Sequence, residues 1–261
     1  MNYCTLKGGL SLLVMIAVII GLYAFADKEP VTLYIIGDST AANKTAKTYP
    51  ETGWGMKLQE LFNEQAVIVD NRALNGRSTA SFKHDYNTKS HTVVNHWRLV
   101  LEKIKPGDYV FIEFGHNDEK IHKPTVGTSL EKFKANLKEY VEETRQKGAI
   151  PVLLTPIERR NWINGKLVET HGGYPDITRE VAKQLNVPLI DMQIKTNSLL
   201  SRLGEEGSVS LFNHLPPGHE NYPKGIQDNT HLSPKGAEQL AKLVVDGIRE
   251  LNLTLATALR Q

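Results

Sequence analysis

VTLYIIGDSTAANK, residues 31–44, begins as an apolar run and stops abruptly at Gly37-Asp38-Ser39. Val31, Leu33, Tyr34, Ile35 and Ile36 are β-branched, aromatic or aliphatic, the composition of a buried strand, and the residues that follow are small and polar. A serine at the point where a buried parallel strand gives way to a loop lies at the carboxyl edge of a sheet, where open α/β sheets hold their ligands. Ser39 is therefore the candidate nucleophile. By itself such a tripeptide is more often an ordinary turn, because glycine, aspartate and serine all favour turns.

The same strand-then-loop pattern recurs downstream. Trp54, Leu58, Leu61 and Phe62 have helical spacing and predict an amphipathic helix over about Gly53 to Asn63. Val67 to Val69 reads as a second strand, running into the polar, glycine-punctuated Asp70 to Ser78. Val93, Val94, Trp97, Leu101 and Ile104 predict the next helix, closed by Pro106-Gly107-Asp108. A third strand, Tyr109 to Phe114, runs into Gly115-His116-Asn117-Asp118. Thr128 and Glu131 are spaced as a capping box for a helix through Leu130, Phe133, Leu137 and Val141 that ends at Gly148. Pro151 to Leu154 is a fourth strand.

Within the longer connection from Pro156 to Tyr174, Asn164-Gly165 is a hairpin signal. Val181 and Leu185 mark a further helix, and Pro188 to Ile190 a short fifth strand. Gly204 to Thr230, with Pro216, Pro217 and Pro223, lacks periodicity and reads as a long loop, functional or disordered. Ser233 as N-cap and Pro234 at the first helical position open a last helix through Leu240, Leu243, Val244 and Ile248. Strands alternating with helices argue for a parallel sheet covered on both faces, in one domain of about Glu29 to Leu253.

The 261-residue chain is 40% hydrophobic and 23% charged, a globular balance. Residues 1–26 stand apart, with a positive Lys7, an apolar run from Leu10 to Tyr23 and a small-x-small Ala24-Phe25-Ala26. They read as a signal peptide, leaving residues 27–261 as the mature domain; a retained membrane anchor is the alternative reading. Cys4, the only cysteine, falls in that leader, so the mature chain owes its stability to its core and not to disulfides. Its net charge is close to zero, which excludes a nucleic-acid-binding signature.

Three loops follow predicted parallel strands and so gather on one edge, and Asp228-Asn229-Thr230-His231 supplies a fourth block. A serine hydroxyl needs a base within hydrogen-bond reach, and that base needs an orienting group. His231 fits the base, and Asp228, three residues earlier, the orienter. Gly76 and Ser39 can offer backbone N–H groups, and Asn117 a side-chain amide, to a developing oxyanion. Taken singly each has a plainer reading. Gly76 serves a turn, Asn117-Asp118 caps a segment, and Asp228 with His231 forms a surface ion pair or half of a metal site. His214 and His219 could join such a site, but no HExxH or other helix-spaced ligand pair appears. His116, His122 and His171 read as solvated loop histidines.

Jointly the blocks resemble the SGNH (GDSL-type) hydrolases, and within them the rhamnogalacturonan acetylesterases. The similarity runs through GDSTAANK, NRALNGRSTASF, DYVFIEFGHND, YVEETRQKGAIPVLLTPIERR and YPKGIQDNTHLSPKGA. It implies a flavodoxin-like three-layer α/β/α sandwich with a five-stranded parallel sheet, and hydrolysis of acetyl esters on a pectic polysaccharide through an acetyl-serine. By that likeness Ser39, Asp228 and His231 are the triad, with Ser39, Gly76 and Asn117 as oxyanion donors. Fungal members of the branch carry disulfides, which this chain without its leader cannot form.

No metal or organic cofactor is expected. The expected partner is an acetylated polysaccharide or oligosaccharide, met by a secreted or periplasmic monomer without nucleic-acid or membrane partners. Arg77, His116, Arg159, Trp162 and Tyr222 are the candidate substrate contacts, with Arg160 nearby; the arginines could instead pair with neighbouring carboxylates. A lipase or thioesterase, an esterase for another carbohydrate such as xylan, and a non-catalytic glycan-binding protein are the rival readings.

Overall fold

A computed structural model describes residues 29–87 and 89–260, and the compact unit of the chain begins at Val31. The leader reading, with Cys4, lies outside the described residues. Strand β1 (Val31–Gly37) is followed by helix α1 (Gly55–Leu58), continued by a 3₁₀ turn over Gln59–Leu61, and by β2 (Val67–Asn71). A hairpin of β3 (Asp85–Asn87) and β4 (Thr92–Val94) precedes α2 (His96–Leu101) and β5 (Tyr109–Glu113). Then come α3 (Leu130–Gln146), β6 (Ile150–Leu154) and a small hairpin of β7 (Trp162–Ile163) and β8 (Lys166–Leu167). Helix α4 (Tyr174–Leu185), β9 (Leu189–Ile190) and α5 (Met192–Ser208) lead to a last hairpin, β10 (Phe212–Leu215) and β11 (Ile226–Leu232), and α6 (Pro234–Glu250).

Five strands form one sheet in the order β2-β1-β5-β6-β9, every pair parallel. Side-chain alternation divides its core between two faces. Leu33, Ile35, Tyr109, Phe111, Val152 and Leu154 meet α1, α5 and α6 on one side. Tyr34, Ile36, Val110, Ile112 and Leu153 meet α2, α3 and α4 on the other. Strands buried on both sides show as the continuous apolar runs of the sequence. The chain order reverses between β1 and β5, so the loops leaving those two strands open a crevice at the carboxyl edge. They approach closely: a Cβ on Gly37 would lie 2.5 Å from the Glu113 carbonyl oxygen, so glycine is required at that point.

Several expectations are corrected. Val93 and Val94 are exposed on β4 and do not open a helix, because Asn95 accepts the Arg98 N–H and caps α2 two residues later. The α3 cap is Ser129, accepting from Lys132 N–H at 3.2 Å, while the Thr128 hydroxyl turns to the Val126 carbonyl. The segment from Gly204 to Thr230 is not one irregular loop; it finishes α5 and builds most of the β10–β11 hairpin. Asn164 and Gly165 both take positive φ at the tip of β7–β8, as the hairpin signal requires. Among the described residues no helix is long and apolar enough to cross a membrane.

Candidate active site

Ser39 sits in the turn that leaves β1. Asp38 ties that turn, its Oδ1 accepting the Thr40 N–H and lying 3.0 Å from the Thr40 hydroxyl, while its carbonyl accepts the Ala42 N–H. Trp54 N–H donates to the Thr40 carbonyl at 2.9 Å, which fastens the far side. The hydroxyl of Ser39 is thus presented by a held backbone.

The candidate base, His231, arrives on β11. Thr52 N–H donates to the Leu232 carbonyl at 2.9 Å and docks the end of that strand beside the segment that supports the Ser39 turn. His231 Nε2 then lies 2.9 Å from Ser39 Oγ, although 192 positions separate the two residues. Its Nδ1 lies 2.7 Å from Asp228 Oδ2. A carboxylate only accepts, so Nδ1 carries the hydrogen and Nε2 is left to accept from the serine. Asp228 Oδ1 accepts the N–H groups of Thr230 and His231, a local turn within the strand that aims the imidazole. Partial burial would raise the Asp228 carboxyl, but these bonds outweigh it and hold it at about 2. Asp228 therefore stays ionised at neutral pH.

The candidate oxyanion donors Gly76 and Asn117 stand on two loops joined to β1. Arg72 N–H donates to the Ile35 carbonyl and Leu74 N–H to that of Gly37, so the loop carrying Gly76 runs alongside the end of β1. Gly76 has φ +73°, a conformation in which other residues are strained. Asn117 Nδ2 donates one hydrogen to the Arg77 carbonyl at 3.1 Å, and its Oδ1 accepts from Lys120 Nζ at 2.7 Å. That fixes the amide with its second N–H uncommitted. Asp118, fully buried, accepts from Thr79 N–H and hydroxyl and locks the two loops together; burial pushes its carboxyl up to about 7.

Three neighbours escaped the sequence reading. Glu51 Oε1 lies 4.0 Å from His231 Nε2, and Lys44 Nζ meets that carboxylate at 2.6 Å while also donating to Asn75 Oδ1 at 2.7 Å. Lys44 so bridges the Gly76 loop and the neighbourhood of His231. Its position at the end of the opening stretch was the available signal. Beneath the turn lies a third missed group, the fully buried Glu113, close to Asp38 and Thr40.

The expected substrate contacts are placed variously. His116 and His171 are not solvated: they are 2% and 1% exposed, with rings 4.5 Å apart, and His116 Nδ1 lies 3.4 Å from Asp38 Oδ2. Burial pulls His116 down to about 4, so the ring is neutral at physiological pH. Arg77 is paired with Asp85 at 2.5 Å and Arg159 with Glu119 at 2.5 Å. Arg160 donates to Asn229 Oδ1 and the Glu205 carbonyl. Trp162 and Tyr222 are half-buried, the latter donating its hydroxyl to the Thr48 carbonyl.

His214 contacts Asn229 and His219 packs against Tyr222; among the described residues no three metal-ligating side chains cluster. A groove of about 640 Å³ on the last hairpin, bordered by His214, Pro216, Pro217 and Lys224, is lined by none of Ser39, Asp228 and His231.

Comparison with known proteins gives a consistent picture. Residues 35–239 match the GDSL-like lipase/acylhydrolase family. The rhamnogalacturonan acetylesterase RhgT of Bacillus subtilis is 40% identical over 87% of this chain and 94% of its own length. The probable rhamnogalacturonan acetylesterase YesY of the same organism is 33% identical over 87% and 96%. In three dimensions, protein YxiM of Bacillus subtilis superposes with a TM-score of 0.70 at 24% identity, over 86% of this chain and 58% of that one.

Proposed function

The chain belongs to the GDSL-like lipase/acylhydrolase family and is a carboxylic ester hydrolase, and from that premise we propose that it removes acetyl groups from acetylated rhamnogalacturonan through an acetyl-Ser39 intermediate. The observation that carries the chemistry is the unbroken contact chain from Ser39 Oγ to His231 and on to Asp228, at 2.9 and 2.7 Å. The substrate class is supported by the similarity to RhgT and YesY over nearly the whole length of all three proteins.

In the reaction, Ser39 Oγ attacks the acetyl carbonyl as His231 Nε2 takes its proton. Asp228 stabilises the imidazolium that forms. The tetrahedral oxyanion is received by the N–H groups of Ser39 and Gly76 and by the free hydrogen of the Asn117 amide. On collapse, the sugar oxygen departs with the proton from His231, leaving acetyl-Ser39. Water then attacks that ester, again losing its proton to His231, and acetate leaves with Ser39 restored.

Trp162 and Tyr222 are assigned to stacking on sugar rings. Arg77 and Arg159 would meet a uronate carboxylate while still shared with Asp85 and Glu119, so their contribution is a diffuse positive field and not a dedicated clamp. Residues 1–26 direct export, which N-terminal sequencing of the processed protein checks.

The test is acetate release from a panel of acetylated polysaccharides by the wild type and by Ser39→Ala. Preference for acetylated rhamnogalacturonan, lost in the variant, is expected. Equal rates on acetylated xylan would leave a general carbohydrate acetylesterase, a preference for long acyl chains would point to a lipase or thioesterase, and undiminished activity of Ser39→Ala would remove the nucleophile.

A further inference from the structure

Glu113 closes β5, and its side chain is fully buried beneath the turn that presents Ser39. One hydroxyl stands between it and Asp38. Thr40 Oγ1 is 3.0 Å from Asp38 Oδ1 and 3.2 and 3.3 Å from Glu113 Oε1 and Oε2. A threonine hydroxyl owns a single hydrogen and can donate to only one carboxyl group. Were both groups ionised, the second would set its oxygen against the hydroxyl's lone pairs, and two negative charges would share a site closed to water. One of the two must hold a proton.

The remaining contacts and the surrounding charges together assign it to Glu113. Asp38 Oδ1 already accepts the Thr40 N–H at 3.0 Å, directed by the same turn that offers the hydroxyl, and its Oδ2, which has no hydrogen-bond partner among the described residues, faces the His116 ring 3.4 Å from Nδ1. On Glu113, Oε2 accepts the Trp54 indole N–H at 2.8 Å, whereas Oε1 has only a long 3.3 Å contact from Ile157 N–H. Oε1 is the oxygen free to carry hydrogen. We propose that Glu113 is a positioning residue that works as a neutral acid: its O–H donates to Thr40 Oγ1, whose own O–H donates to the Asp38 carboxylate, and this relay fixes the turn that presents Ser39.

The surrounding charges agree with this assignment. Asp38 faces Glu113 from the β1 loop; His116, Asp118 and Lys120 stand on the β5 loop, and Arg159 and His171 reach His116 from the segments after β6. Burial and then the Asp38 charge push Glu113 up to about 8. For Asp38, burial would raise the carboxyl, but attraction to the His116 imidazolium, which forms only below pH about 4, and the Thr40 bonds outweigh it and bring it to about 2. Above pH about 8 the relay acquires a second negative charge and loosens the turn, so kcat falls on the alkaline side.

The inference takes Ser39 as the nucleophile, as proposed above, and two measurements test it. In the first, kcat is followed against pH in three proteins. Glu113→Leu, which has no donor, should lose on the order of 100-fold in kcat, the cost of a misplaced nucleophile, with KM within about threefold. Glu113→Gln offers an amide N–H to Thr40 and a carbonyl to Trp54 without ionising. It should recover most of that loss and keep its kcat at the pH where wild type declines. A Gln variant no better than Leu, or one with the wild-type alkaline decline, would overturn the proposal.

In the second measurement, carboxyl-¹³C glutamate is incorporated and titrated by NMR in a Glu158→Gln background, which removes the other buried glutamate. One resonance should titrate near pH 8; ionisation of every glutamate by pH 6 would overturn the assignment. This titration reads neither catalysis nor any Glu113 variant, so it separates failure of the relay from failure of Ser39 as nucleophile.

Discussion

Asp228 and Glu113 are both carboxyl groups within the support of one serine, and their surroundings drive them in opposite directions. Asp228 lies on the hairpin with 22% of its side chain exposed, takes three hydrogen bonds from Thr230 and His231, and is held at about 2. Glu113 is sealed between β1, β5 and Trp54, faces another carboxylate, and is pushed up to about 8. One is a fixed negative charge that steadies an imidazolium; the other is a hydrogen-bond donor that steadies a turn. Identical chemistry serves opposite tasks because water and N–H donors reach one group, while the other has neither in sufficient number.

The charged end of this contrast carries the largest expected effect. Asp228→Asn keeps the shape but can place the wrong hydrogen toward His231 Nδ1, and kcat should fall by roughly 10,000-fold with KM little changed. A steady-state assay on an aryl acetate reads this directly, and a loss below about tenfold would mean that the imidazole is oriented by something else, Glu51 being the nearest candidate. Next is Asn117, which receives charge only during reaction. Asn117→Ala should lower kcat by about 100- to 1,000-fold without altering the fold, judged by unchanged near-ultraviolet circular dichroism.

At the neutral end, Thr40→Val preserves volume and removes the hydroxyl that Asp38 and Glu113 share. It should destabilise the protein by about 1–3 kcal/mol in urea melts, as buried acceptors lose their partner. The last contrast is the pH dependence of stability, where the two carboxyls differ in sign. Asp228, lowered when folded, contributes stability above pH 3.8 that is lost as pH falls toward 2, about 1–2 kcal/mol after allowance for its exposure. Glu113, raised when folded, contributes most below pH 4.5 and loses that contribution as pH rises through 8. Denaturant midpoints across pH should therefore decline on both sides, with Asp228→Asn flattening the acid side and Glu113→Gln the alkaline side.

How much of this was legible in the sequence follows the same physics. β1, β5 and β6 are buried on both faces, so each shows as an apolar run, and the polar residues that end β1 and β5 mark the site edge. The positions of Ser39 and Asn117 follow from that pattern; β2 is a half-exposed edge strand, and Gly76 on the loop after it reads singly as a turn residue until the blocks are taken together. The β10–β11 hairpin lies outside the central sheet, and β11 reads Ile-Gln-Asp-Asn-Thr-His-Leu, mostly polar, so its strand character is set by pairing with β10 and not by burial. Helix α5 was missed because its stripe of Met192, Leu199 and Leu200 is interrupted by a buried threonine, Thr196, and broken at Gly204. The relay beneath Ser39 was missed because it needs a third dimension. A glutamate inside the run from Tyr109 to Phe114 was nonetheless a visible sign, since a charged residue in a fully buried strand must be paired or neutral.

The central claim is that the hydroxyl of Ser39 forms the covalent bond to the acyl group. It is tested most directly by treating the wild-type protein with an organophosphonate ester analogue and mapping the adduct by peptide mass spectrometry. A single adduct on the peptide containing Ser39, absent from Ser39→Ala and much slowed in His231→Ala, is the expected result. An adduct on another residue, or full inactivation with Ser39 unmodified, would contradict it.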